Sequence, residues 1–144
     1  MRFVLQRVSK ASVLINKETT EAIGGGLVVF MGIHQDDSKT DCDKWIQKIL
    51  KLRLFADDQK PINRSIKDVD GQILLISQFT LYADCQGQNR PSFRQAANPE
   101  LAQEIYNYFE GKLKQAWPQT KTGQFAAHMD VSLVNDGPVT IILE

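Results

Sequence analysis

Residues 133–143 read LVNDGPVTIIL, and how the Gly137-Pro138 pair inside this run is taken decides the fold. Leu133 and Val134 precede the pair, and Val139, Ile141, Ile142 and Leu143 follow it, a composition suited to a buried strand. Proline has no N–H for a ladder and glycine weakens a strand interior, so the run reads as two strand segments around a break. The break has two readings. One is an ordinary turn, although Asp136-Gly137 alone would suffice for it. The other is a functional backbone feature, because Pro138 fixes one more dihedral and admits a cis peptide, a form that tends to be deliberate. On both readings the chain closes on β-structure.

Upstream, AHMDVSLVN at 127–135 is a further strand segment. A helix is predicted before it, with Asn98 as N-cap, Pro99 at the first helical position and Glu100 just inside. Leu101, Ile105, Tyr108, Phe109 and Leu113 form its core face, and Trp117-Pro118 ends it. Ile73 to Leu81, ILLISQFTL, reads as a strand followed by a long polar loop. Helical spacing of Cys42, Trp45, Ile46, Ile49 and Leu50 predicts another helix within 40–55, with Lys44, Lys48 and Lys51 as a basic stripe opposite. A stripe of that kind is either a solvated face or a phosphate contact.

At the N-terminus Phe3, Leu5 and Arg7 alternate with Val4, Gln6 and Val8, and a second run covers Ala11 to Ile15. Asn16-Lys17-Glu18 supplies a hairpin turn. Gly24-Gly25-Gly26 is a turn or bulge rather than a phosphate loop, because a strand follows where such a loop requires a helix. Mostly strands with two helices gives an α+β fold. The expected form is a small curled sheet or barrel with both helices packed outside, one domain spanning 1–144.

Composition is that of a globular protein: 42% apolar, 24% charged, with 17 basic and 17 acidic residues. Zero net charge argues against coating long nucleic acid and leaves room for a local basic patch. No apolar run approaches a membrane span, and MRFVLQRV lacks the features of a secretory signal, so the expected location is cytoplasmic. Cys42 and Cys85 are far apart and suggest no disulfide framework.

The chemical inventory is short. His34 and His128 are the only histidines, and neither has an orienting partner beside it in sequence. No metal-ligand spacing, nucleophile elbow or Walker sequence occurs, so neither a metal nor a cofactor is expected. SQFTL is the odd feature: Ser77, Gln78 and Thr80 follow a purely apolar stretch. It is a strand running out into solvent or a pocket wall at a strand end. Strand alternation divides Ser77 and Phe79 from Gln78 and Thr80, so a shared pocket would need backbone groups or a bulge.

SQFTL at 77–81, NDGPVT at 135–140, RPSF at 90–93 and TGQFAAHM at 122–129, with QRV at 6–8, together resemble the D-aminoacyl-tRNA deacylases of the bacterial and eukaryotic type. Each piece alone is a weak signal. The ordered set spans essentially the whole chain and is specific. The resemblance implies a cofactor-free homodimer of small barrel-like subunits that hydrolyses the ester joining a D-amino acid to the 3′ end of tRNA. Ser77, Gln78, Phe79 and Thr80 would line the catalytic pocket. Gly137-Pro138, in cis, would enter it from the partner subunit and exclude L-amino acids, with Arg7 as a brace. Phe125 and Met129 would border the terminal adenosine, and Arg90, with the lysine stripe less directly, would meet the acceptor stem.

A rigid backbone wall can reject every L side chain by collision, which attraction to one side chain cannot do. Glycine has nothing to collide, so glycyl-tRNA should also pass, and the resemblance implies glycine mischarged on alanine tRNA as a second substrate. Thr80 is a tempting nucleophile without an adjacent base. The alternative chemistry uses the tRNA 2′-OH to orient water, with backbone N–H groups near Phe79 and Thr80 holding the oxyanion. Two rival classes remain: a non-catalytic tRNA-binding module and a hydrolase of small D-amino acid esters.

Overall fold

The computed structural model describes all residues, 1–144. Its elements are β1 (Arg2–Ile15), β2 (Thr19–Ile23), β3 (Gly26–Gly32), α1 (Lys39–Lys51), β4 (Arg53–Phe55), β5 (Arg64–Ser65), β6 (Gln72–Ser77), a 3-10 helix (Phe79–Tyr82), α2 (Pro99–Ala116), β7 (Thr120–Thr122) and β8 (Met129–Leu143). The main sheet runs β2-β1-β3-β6-β7, with β8 on the other edge of β1; β6 is parallel to β3 and to β7, and the remaining pairs are antiparallel. It is a mixed sheet nearly closed into a barrel, with both helices on its outer face, as the α+β reading expects.

A bulge sets this curvature. The two opening runs are one strand, β1, because the ladder resumes at Lys10 after a single unpaired residue, Ser9, although both are exposed. Val8 pairs with Asn135 and Lys10 with Val134, so β1 spends one extra residue there. One extra residue exchanges the faces of everything beyond it. Phe3 and Leu5 accordingly pack with α1 and α2, while Ala11, Val13 and Ile15 join Val28, Leu74 and Ile76 in the barrel interior.

β8 makes the complementary change. Between Gln6 and Val8, β1 advances two residues while β8 advances five, from Thr140 back to Asn135. The Gly137-Pro138 break is thus neither a hairpin turn nor a strand end: the segment bulges out of one continuous strand and rejoins the same partner. Met129, Val131 and Leu133 face the interior, whereas Ile141 and Leu143 pack toward the helices.

Three further expectations change. Helix α1 stops at Lys51, because Leu52 is extended (ψ 131°) and 53–55 pair with β5, so the apolar spacing that continues to Leu54 belongs to a strand. Tyr106, not Tyr108, is buried on α2, its hydroxyl donating to the Leu75 carbonyl at 3.4 Å. Tyr108 lies half-buried at the rim, with the Lys39 and Lys112 ammonium groups over its ring. Third, the strand beginning at Gln72 ends at Ser77, and Phe79–Tyr82 coil into the 3-10 helix. Elsewhere local chemistry prevails: Asn98 Oδ1 accepts from Leu101 N at 3.0 Å as the α2 cap, and Asn16 and Lys17 form the hairpin turn with φ 50° and 62°. No helix is long and apolar enough to cross a membrane.

Candidate active site

β3 and β6 run parallel, so their C-terminal ends open on the same side, where a sheet of this kind leaves a crevice. Met31 and Ile33 from β3 and the residue after it, with Ile76 and Ser77 from β6, line a cavity of about 630 Å3. The 125–131 segment and the N-terminus of α2 complete it. The wall is mostly apolar, and its floor rests on Tyr106, whose ring lies 5.7 Å from that of Phe125. Burial pushes the Tyr106 hydroxyl well above the ordinary tyrosine range, which keeps it a neutral donor to Leu75.

Of the residues singled out in the sequence, Ser77, Gln78, Phe79, Phe125 and Met129 line this cavity. Thr80 sits one step beyond, exposed, and its hydroxyl accepts from Gln78 Nε2 at 2.5 Å. That contact joins two side chains that strand alternation had already put on one face. The 3-10 turn adds what alternation could not. The Gln78 amide donates to Met31 O at 2.8 Å, and the next two amides, of Phe79 and Thr80, open the helix and meet no carbonyl of the chain. Two adjacent N–H groups are thereby free at the strand end. Phe79 is 55% exposed and meets Phe93 edge-on, 5.0 Å between centroids. A Cβ on Gly123 would overlap the Met129 sulfur, so a side chain there would displace the Met129 thioether from its place on the cavity wall.

Gly137, Pro138 and Arg7 lie elsewhere. None lines the cavity. The Gly137–Pro138 peptide is cis and both residues are exposed. Beneath them Arg7 is buried, 8% exposed, and its guanidinium gathers two strands and a loop: Nη1 donates to Leu54 O at 2.7 Å and Pro61 O at 3.0 Å, and Nε to Asp136 O at 3.1 Å. The Asp136 carboxylate adds an ion pair at 3.2 Å. Arg90 is exposed in a loop closed by paired backbone bonds between Asp84 and Ser92, and the Lys44, Lys48 and Lys51 side chains are exposed on α1; none reaches the cavity.

Sequence reasoning missed Phe93, Ala96 and Ala97, which form the wall opposite β6, and the rim position of His128. Phe93 stood in the RPSF motif and could have been found there. The alanines carry no chemical signal. His128 does have a partner, Asp130 Oδ1 at 3.3 Å from Nε2. No group of three His, Cys, Asp or Glu side chains is placed to hold a metal ion.

The model of the family described as D-Tyr-tRNA(Tyr) deacylase matches residues 4–144. The chain belongs to this deacylase family. Curated relatives named D-aminoacyl-tRNA deacylase include one from Chloroherpeton thalassium, 52% identical over 100% of this chain and 95% of its own length. Another, from Polaromonas naphthalenivorans, is 51% identical over 99% of this chain and 96% of its own. Among solved structures, one named c-Myc DNA Unwinding Element Binding Protein has a TM-score of 0.91 at 40% identity, covering 100% of this chain and 98% of that one. A probable eukaryotic D-amino acid tRNA deacylase, with a TM-score of 0.87 at 16% identity over 99% of this chain and 97% of that one, shares the fold.

Proposed function

We propose that this chain is a D-aminoacyl-tRNA deacylase, acting as a single domain over 1–144 in a cytoplasmic homodimer. The observation that carries the reading is the pair of free amides at Phe79 and Thr80, at the edge of a cavity of nucleoside size that Phe79, Phe125 and Met129 line. Water adds to the carbonyl carbon of the aminoacyl ester, and the electron pair displaced onto oxygen is held by those two N–H groups. Collapse of the tetrahedral species breaks the bond to the ribose 3′ oxygen, which takes up a proton, releasing free amino acid and tRNA. The tRNA 2′-OH orients the water, since no side chain beside Thr80 has the character of a base. The ester is already reactive, so the protein need supply less than the ~8–23 kcal/mol typical of enzymes.

Selectivity in this reading comes from Gly137-Pro138 of the second subunit. The pair is exposed, absent from its own cavity and stiffened from below by Arg7, which suits an element that projects into another protomer. A backbone wall where an L side chain would stand admits D-aminoacyl and glycyl esters, including glycine on alanine tRNA. Phe125 and Met129 hold the terminal adenosine, and Arg90, with the lysine stripe of α1 more remotely, faces acceptor-stem phosphates.

Side-by-side hydrolysis of D-tyrosyl-, L-tyrosyl- and glycyl-tRNA by the purified protein tests this. Loss of the D and glycyl esters with L spared is expected; equal loss of D and L overturns the selectivity account. A second reading, a nucleic-acid-binding module without turnover, draws on the name of the 40%-identical structure. It predicts binding with all three esters intact.

A further inference from the structure

His128 is the one ionisable side chain on the cavity wall, so the cavity itself offers no lysine or arginine to a phosphate. Yet the substrate of the proposed deacylase carries a phosphodiester on the 5′ side of its terminal nucleoside, and that charge has to leave through the rim. At the rim His128 is shared with a second, more open cleft whose only other walls are Asn16 and Lys17. These two residues are the β1–β2 turn. The turn is tied to the rim by Asn16 N donating to His128 O at 2.9 Å and by His128 N donating to Asn16 Oδ1 at 3.2 Å.

Lys17 is exposed and engages no carboxylate, whereas nearby Lys121 is paired with Glu21 at 3.1 Å. Asp130 is directed at His128 Nε2, and Glu18, beside Lys17 in the turn, makes no ion pair with its ammonium. Both turn residues have positive φ, and the second position of such a turn favours glycine. A lysine there departs from the local rule with no compensating contact inside the chain.

We propose that the cleft of Lys17, Asn16 and His128 is a phosphate subsite that takes the 5′-phosphodiester of the substrate's terminal nucleoside. The inference rests on the deacylase reading for the identity of the ligand. Lys17 supplies the charge, and the Asn16–His128 bonds hold it at a fixed distance from the cavity in which the nucleoside sits. It is a positioning residue, acting on binding and not on the ester.

The test compares adenosine with adenosine 5′-phosphate as ligands of the intact protein, by titration calorimetry, with Lys17→Gly and Lys17→Arg variants alongside. Glycine suits the turn, so Lys17→Gly removes the charge without loss of fold. Wild type and Lys17→Arg are expected to bind the phosphorylated nucleoside roughly tenfold more tightly than adenosine, the scale of one charge-assisted hydrogen bond. Lys17→Gly is expected to lose that preference while binding adenosine unchanged. A preference that persists in Lys17→Gly, or is absent in wild type, overturns the subsite. Turnover of the D-tyrosyl 3′-ester of adenosine, measured on the same preparations, reports separately on the deacylase reading. An intact phosphate preference without ester turnover leaves the subsite standing and refutes the activity.

Discussion

Gly137 has φ +124°, and a Cβ added there would stand 2.9 Å from Arg7 Nη2. Both facts bar a side chain. A non-glycine residue in so sparsely populated a region costs about 1–3 kcal/mol, so Gly137→Ala should lower Tm by several degrees. If the bulge forms the selectivity wall, the same change should cut kcat/KM on D-tyrosyl-tRNA about tenfold or more, because the guanidinium beneath has to move. The free amides allow a sharper test at the neighbouring scale of single atoms. Phe79 opens the 3-10 helix, where proline is tolerated, so Phe79→Pro deletes one N–H with little damage to the turn. The expected loss in kcat is about 10²–10³, the worth of one oxyanion donor. Phe79→Ala removes the ring but keeps the amide and should fall far less; equal losses would show that the ring matters, not the N–H. Thr80→Ala should stay within about tenfold of wild type, since Thr80 only receives the Gln78 hydrogen bond and has no base beside it. Complete loss in a folded Thr80→Ala variant would return the hydroxyl to the centre of the mechanism.

The elements meet at Arg7, where β1, β4 and the 57–63 loop converge on the bulge of β8. Leu54 O, Pro61 O and Asp136 O all accept from one guanidinium, so Arg7→Met would leave the buried Leu54 carbonyl and two partly buried ones unpaired and cost about 1–3 kcal/mol, readable as a shift in the denaturant midpoint. The loop that presents Pro61 is itself held by Asp57. Asn63 Nδ2 and the Gln59 and Lys60 amides donate to that carboxylate and hold its pKa below the ordinary 3.8. A folded value below the unfolded one stabilises the loop above about pH 4 and ceases to do so as pH falls through the lowered pKa. The protection factor of the Lys60 amide, its exchange rate relative to the intrinsic one at each pH, should therefore fall on the acid side, and Asp57→Asn should flatten that dependence. These links were hidden in the sequence, since Arg7, Leu54, Pro61 and Asp136 are far apart in the chain. What could be read was local: the Asn98-Pro99 cap of α2, the Asn16-Lys17 turn, the apolar face of α1, and the motif residues Ser77, Gln78, Phe125 and Met129. What could not be read turned on register. The extra residue at Ser9 makes two runs into one strand, and the backbone coils after Ser77 where alternation would have run on to Leu81. Periodicity reports which residues are apolar and does not say when a strand absorbs an extra one.

At the scale of the molecule β8 is the anomaly. It is 15 residues long, pairs only with β1, and buries none of its side chains fully. Val134 and Ile142 on its outer face are 46% and 63% exposed. A long apolar edge is a template for association unless something covers it. A second copy related by a two-fold axis would cover it and carry Gly137-Pro138 across, with each protomer lending its bulge to the other's cavity. This arrangement makes an arithmetic demand. Phe79→Pro damages the floor and Gly137→Ala the wall, and each homodimer then has two defective sites. In a mixed dimer, one cavity pairs the intact floor of one protomer with the intact bulge of the other. Random exchange makes half of the dimers mixed, with one restored site of two in each, so co-refolding the variants should recover about a quarter of wild-type turnover. Sedimentation of each variant alone checks that both remain dimers. If the bulge served its own protomer's cavity, no combination could restore a site, and the mixture would stay as inactive as its components.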